Sequence, residues 1–181
     1  MKKYVQILGF WILSMAVIAI TGCIGVPAGV KPVEGFVADR YLGKWYEIAR
    51  LNHRFEKGLE SVTAEYSLLR EGEVRVINRG YSTEESKWRQ ITGHAKSVSD
   101  VSIGHLKVSF FGPFYASYVI FGLDHRDYEY AFVSGYNTDY LWLLSREPKV
   151  SYSVREEFTE AARMAGFSVE DLIWVDQNRN L

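Results

Sequence analysis

From Tyr41 to Arg146 the chain offers one candidate strand after another, with no helical period between them. The stretches are 45–51, 61–69, 73–81, 87–96, 105–111, 117–123, 129–135 and 140–146. Many are rich in Val, Ile, Tyr, Phe and Thr and are bounded by Gly, Asp, Asn or Pro, as strands are. Arg70-Glu71-Gly72-Glu73 reads as a tight hairpin turn. Eight regularly spaced strands of this kind favour a sandwich or an up-and-down barrel. Within them, Val74, Val76 and Asn78 alternate with Arg75, Ile77 and Arg79, and Leu106, Val108 and Phe110 oppose Lys107 and Ser109. One face of the sheet is therefore the solvent side.

The period then changes. Val154, Phe158, Ala161, Ala162 and Ala165 recur at helical spacing between Ser153 and Gly166. Ser153 is positioned to cap the start, with Glu156 three residues on, and Gly166 marks the stop. Such a helix packs its apolar stripe on the outside of the sheet, and Leu172-Ile173-Trp174-Val175 adds a short final strand. An eight-stranded barrel is just wide enough to hold one small ligand.

Ahead of the strands lies a secretory signal. Lys2 and Lys3 precede an apolar run from Val5 to Ile20, interrupted by Gln6, Gly9 and Ser14, and Thr21 and Gly22 then lead into Cys23. Ile20-Thr21-Gly22-Cys23 resembles a bacterial lipobox, which implies cleavage before Cys23 and acylation of its thiol. Ile24, rather than Asp, follows, which implies sorting to the outer membrane. The alternative is an uncleaved anchor with an incidental Cys. A single Cys excludes an internal disulfide. Removing residues 1–22 takes two lysines from 21 basic residues and none from 22 acidic ones, leaving a net charge of −3. That is too acidic to suggest nucleic acid as a partner. Gly25, Pro27, Gly29, Pro32 and Gly35 give the composition of a tether. The expected organisation is a signal over 1–22, a lipidated tether over 23–35 and one domain over 36–181.

Several strings tighten the fold. Tyr41-Leu42-Gly43-Lys44-Trp45-Tyr46-Glu47-Ile48-Ala49-Arg50 and Leu144-Ser145-Arg146-Glu147-Pro148 resemble the first and third signatures of the lipocalin family. Asp124 matches the Asp of the second, although Leu123 stands where the family has Thr, and Asp127-Tyr128 is a rival match. His53-Arg54-Phe55-Glu56, Val108 to Phe114 and Asp139 to Leu144 are similar to the family's bacterial outer-membrane members. The resemblance implies an all-β, eight-stranded antiparallel barrel with the helix outside. It makes Gly43, Trp45, Asp124 and Arg146 structural: Trp45 plugs the closed end, Arg146 lies across its indole and Asp124 caps a closed-end turn. It implies a barrel that stores or transports fatty acids or lysophospholipids for envelope maintenance, lipid-anchored to the outer membrane and facing the periplasm of a Gram-negative bacterium. No cofactor is expected, and a homodimer stays open.

Period two and the family's register place Ala49, Ala64, Tyr66, Val76, Asn78, Val108, Phe110, Tyr118, Ile120, Trp142 and Leu144 inside, as ligand-lining residues. Ala49, Ala64 and Gly122 argue for space among them, against a barrel filled by its own side chains. The loops 52–60, 82–86, 112–116 and 136–139 form the mouth. Arg54, Lys57 and Lys87 there could meet a phosphate or carboxylate, or be ordinary solvated charges, and Phe111, Phe114 and Tyr115 form an apolar lip. Glu47 is the one carboxylate expected inside, as a floor-level acceptor or a ligand contact. His53, His94, His105 and His125 are scattered, without metal-ligand spacing. No nucleophile elbow or phosphate loop appears. The residues favour a binding protein over a lipocalin-type enzyme or an envelope scaffold.

Overall fold

The structure, a computed structural model, describes residues 24–180. The expected signal and Cys23 lie outside the described residues. Eight antiparallel strands follow in order: β1 (Gly43–Arg50), β2 (Leu59–Arg70), β3 (Glu73–Ser82), β4 (Lys87–Ser97), β5 (His105–Phe111), β6 (Phe114–Leu123), β7 (Tyr130–Ser134) and β8 (Leu141–Ser145). Each pairs with the next, β8 returns to β1, and the pairing of β1 with β2, from Gly43↔Tyr66 to Tyr46↔Thr63, closes the barrel. Closure leaves no free edge across the eight strands. A four-residue helix, α1 (Ala38–Tyr41), leads into β1 beneath the closed end. Gly43 turns the chain upward with φ 95°, a conformation a side chain would strain, and a Cβ there would stand 3.3 Å from Arg146 Nη1.

Strand β1 is shared. Its lower half pairs with β2, while Ala49 and Arg50 pair instead with Trp174 and Ile173 of the two-residue strand β9 (Ile173–Trp174). The side chain of Gln177 locks the gap, with Nε2 donating to the carbonyls of Glu47 at 2.7 Å and Val62 at 3.0 Å.

Helix α2 (Tyr152–Met164) lies outside the barrel, as its apolar stripe demands. Its cap is Ser151, not Ser153: Ser151 Oγ accepts from the Val154 amide at 3.3 Å, and the Ser153 hydroxyl hydrogen-bonds that of Ser151. The helix starts two residues earlier than the expected cap implies, because Tyr152 and Ser153 already take the helical conformation. Two cores result. One fills the lower barrel around Trp45, Ile120 and Val133; the other lies between barrel and helix around Phe132, Leu143, Phe158 and Ala162. Burying a side chain such as Phe158 contributes about 1.5–3 kcal/mol.

The segment with tether composition is packed rather than free. Val26 and Val30 join the helix-side core, and Val33 and Phe36 join the lower-barrel core. Val33 exchanges backbone bonds with Ile120 and Gly104. Gly29 passes so close to the helix end that a Cβ would stand 2.4 Å from the Ala165 carbonyl oxygen. Its glycines serve close approach, not slack.

Candidate ligand cavity

The upper barrel encloses a cavity of about 640 Å³, within the range of small-molecule sites. Its base is aromatic. Trp45 is fully buried, stacks on Tyr41 with ring centroids 4.5 Å apart and donates from Nε1 to the Tyr41 carbonyl at 2.8 Å. Above them the hydroxyls of Tyr41 and Tyr66 reach that of Tyr118 at 2.7 and 2.9 Å. Burial raises the ionisation of all three phenols well above its ordinary range, so the floor is neutral and hydroxylic.

Arg146 seals Trp45 from below. Its guanidinium lies 3.9 Å from the indole centroid and donates to the carbonyls of Lys44 at 3.0 Å, Arg40 at 2.8 Å and Tyr128 at 3.3 Å. Asp124, rather than Asp127, organises the neighbouring turn by accepting the amides of Arg126, Asp127 and Glu129. Neither Arg146 nor Asp124 lines the cavity.

Of the expected lining residues, Ala64, Tyr66, Val76, Asn78, Val108, Phe110, Tyr118, Trp142 and Leu144 face the cavity. Ala49 does not. A register shift between Glu47 and Ala49 breaks the alternation of β1, and Ala49 packs on the helix side with Ile48. Ile120 points inward but lies in the packed floor rather than on the cavity. Gly122 leaves no space either, since the Phe132 ring occupies the place of its missing side chain, 2.2 Å from a built Cβ.

Higher on the wall, Glu47 is not at the floor and is not the only carboxylate inside. It pairs with buried Arg50 at 2.6 Å, and the loop after β1 folds back to bring Glu56 in beside it. Arg50 draws that loop inward, its Nη2 donating to the carbonyls of Glu56 at 3.0 Å and Leu59 at 2.9 Å. Glu56 Oε2 accepts from Trp142 Nε1 at 3.1 Å and stands 3.0 Å from His53 Nε2. Burial and the Glu56 charge push the Glu47 carboxyl well above the usual range, against the pull of Arg50. Burial also opposes ionisation of Glu56, but His53, Trp142 and Arg50 outweigh it and hold that carboxyl below its ordinary value. Buried side-chain atoms left without a hydrogen-bond partner among the described residues include Asn78 Oδ1 and His53 Nδ1, both on residues lining the cavity.

At the mouth, Arg54 lines the opening with its guanidinium 4.9 Å from the Phe55 ring centroid. Lys87 is engaged by Glu85 at 3.2 Å, and Lys57 is exposed. Phe111 and Phe114 form the lip, 67% and 77% exposed. Residues 53–56 are visible in the sequence as a family-like string, but nothing local says that Glu56 enters the barrel. The buried Arg50 that draws it in is the long-range signal.

Residues 36–177 match the family model described as Lipocalin-like domain. The chain is 52% identical over 165 residues to Outer membrane lipoprotein Blc of Vibrio cholerae, covering 91% of this chain and 96% of that protein. It is 50% identical over 151 residues to the protein of the same name from Escherichia coli strain K12, covering 83% and 85%. Among solved structures, the cockroach allergen Per a 4 superposes with a TM-score of 0.67 over 87% of this chain and 98% of the allergen. At 21% identity that likeness speaks for the fold alone. Barrel, outer helix, sealed tryptophan and these relatives agree: the chain belongs to the lipocalin family.

Proposed function

We propose that this lipocalin binds single-chain amphiphiles, fatty acids or lysophospholipids, and stores or carries them for envelope maintenance. One observation carries the reading: an apolar cavity of about 640 Å³ open between aromatic lips. Its volume and apolar lining suit an acyl chain, and its neutral hydroxylic floor asks for no charged ligand group there. The site is read as binding rather than turning over its ligand, since the carboxylates on its wall are held by Arg50, Trp142 and His53. Cys23 is read as the acylated anchor that holds the protein on the periplasmic side of the outer membrane. The Ile20-Thr21-Gly22-Cys23 string and the lipoprotein names of relatives about half identical to this chain support that role.

The test of the cavity is Ala64→Trp. Ala64 faces the cavity from β2, so an indole there fills the space and abolishes binding of a fluorescent fatty acid, with the melting temperature preserved. Ile77→Thr, on the outer face, leaves binding intact. A steep loss of melting temperature in Ala64→Trp, with no ligand bound by the parent, would refute the open cup, because overpacking a filled core costs about 1–3 kcal/mol. For the anchor, Cys23→Ser moves the protein to soluble fractions or leaves an uncleaved precursor. Two or more acyl chains are needed for stable membrane attachment, so unchanged fractionation and processing would overturn that assignment.

A further inference from the structure

The wall below the mouth holds more negative charge than permanent positive charge. Glu47 and Glu56 bring two carboxylates into it, with side chains 4% and 13% exposed, and Arg50 is the guanidinium buried against them. Arg50 is committed through Nη1 to Glu47 and through Nη2 to two loop carbonyls. Its Nε has no partner among the described residues, but Arg50 does not line the cavity. Glu56 relies on the Trp142 indole N–H and on His53.

His53 adds an independent sign. Its side chain is 5% exposed and lines the cavity, and its Nε2 faces Glu56 at 3.0 Å. In the neutral ring the proton belongs on Nε2, toward the carboxylate, so Nδ1 carries a lone pair. Both ring nitrogens are buried: Nδ1 has no partner among the described residues, and Nε2 meets Glu56 as an ion-pair contact rather than an aligned hydrogen bond. Beside it the rings of Tyr140 and Trp142 lie 6.1 Å apart at 24°, with the His53 ring 5.4 and 5.2 Å from them. All of these residues line the cavity.

A surplus carboxylate, a buried lone pair and aromatic faces share one complement: a protonated amine. Its N–H groups satisfy Glu56 and His53, and its charge rests against π surfaces, where a desolvated cation is favoured. We propose that this wall is an ammonium subsite, taking the primary ammonium of a phosphoethanolamine-type headgroup. The proposal rests on the reading of the cavity as a lipid site and narrows it. The phosphate falls toward Arg54 at the rim, which has no ion pair among the described residues, and the acyl chain runs down past Leu144 and Val76 to the tyrosine floor. A free fatty acid lying with its head here would bring a third negative charge to the same wall. The wall's own response to the surplus is the raised Glu47 carboxyl, which an ammonium would let ionise.

A matched pair of lipids isolates the ammonium. 1-Palmitoyl-lysophosphatidylethanolamine and 1-palmitoyl-lysophosphatidylglycerol share chain and phosphate, and the second has hydroxyls in place of the amine. Each competes with a fluorescent acyl probe for the full chain, kept soluble in an amphipol. The ethanolamine lipid is expected to bind at least about tenfold tighter, the lower end for a charge-assisted hydrogen bond in a desolvated site. In Glu56→Gln the preference is expected to disappear, with the glycerol lipid bound as before. Glu47→Gln, which removes the surplus charge from the other side, is expected to reduce the preference and serves where Glu56→Gln fails to fold. Equal binding of both lipids by the parent, or an undiminished preference in the folded variants, overturns the subsite and leaves the lipid cavity standing. If the parent binds neither lipid nor the acyl probe, the lipid reading itself falls.

Discussion

At the closed end of the barrel Arg146 places its three nitrogens on three backbone carbonyls and its plane on Trp45. Near the open end Arg50 Nε and His53 Nδ1 are buried with no partner among the described residues, and Phe55, Phe111 and Phe114 stand exposed. The two ends use the same residue types, arginine against aromatic and polar neighbours, to opposite effect. Below, the Arg146 and Trp45 nitrogens are all satisfied by backbone carbonyls, and the arrangement stabilises closure of the sheet. Above, capacity is left over, and a buried group without a partner costs free energy unless something else fills the place. Stability resides at the floor, and the proposed function places recognition at the upper wall.

The largest expected effect lies at the floor. Trp45→Ala should destabilise the barrel by about 3–5 kcal/mol, as truncating a buried aromatic does. Arg146→Ala should cost less, and the two losses should not add, because the side chains share one contact. Urea melts of both single variants and the double variant read this directly. Additive losses would mean that Arg146 and Trp45 stabilise the floor independently, and the contrast between the ends would lose its clearest term.

A smaller loss is expected from the upper wall. Arg50→Met leaves Glu47 buried without its cation and frees the loop carrying Glu56. We expect about 3 kcal/mol, the low end for breaking a buried pair, because the Glu47 carboxyl already favours its protonated form. Combining it with Glu47→Gln should recover much of that stability while lipid binding stays impaired. Recovery of both together would place the pair in the scaffold rather than the site.

The smallest effect belongs to neither end. Ser151→Ala removes the cap of α2 and should cost about 1 kcal/mol in melts while leaving lipid affinity unchanged. A change in affinity would show that the outer helix is coupled to the cavity, which the separate cores argue against.

The strands were legible because their turns and their alternation are local. Val74, Val76 and Asn78 separate from Arg75, Ile77 and Arg79 with no knowledge of the partner strand. The same rule misplaces Ala49, because the bulge after Glu47 arises in the pairing of β1 with β8, where β1 also leaves β2 for β9, and those two strands lie far along the chain. Gly122 reads as space, yet Phe132 of the neighbouring strand fills it. Residues 24–35 have the composition of a linker but pack along the helix and under the barrel, since a glycine that permits slack also permits close approach.

The sequence by itself determined the barrel, the outer helix, the tryptophan floor with its arginine and most of the cavity's lining, since each follows from short-range periodicity or from a short string. It also carries the string that reads as a signal ending at Cys23, which lies outside the described residues. Tertiary structure alone decided that Glu56 enters the cavity, that Arg50 and Glu47 form a buried pair, and that His53 keeps an unfilled lone pair beside Trp142. Those facts depend on a mouth loop folding back onto a strand end and meeting a side chain 86 residues away. Burial is created there by closure of the whole sheet, and it is burial that turns two ordinary surface-type carboxylates into a demand for a cation.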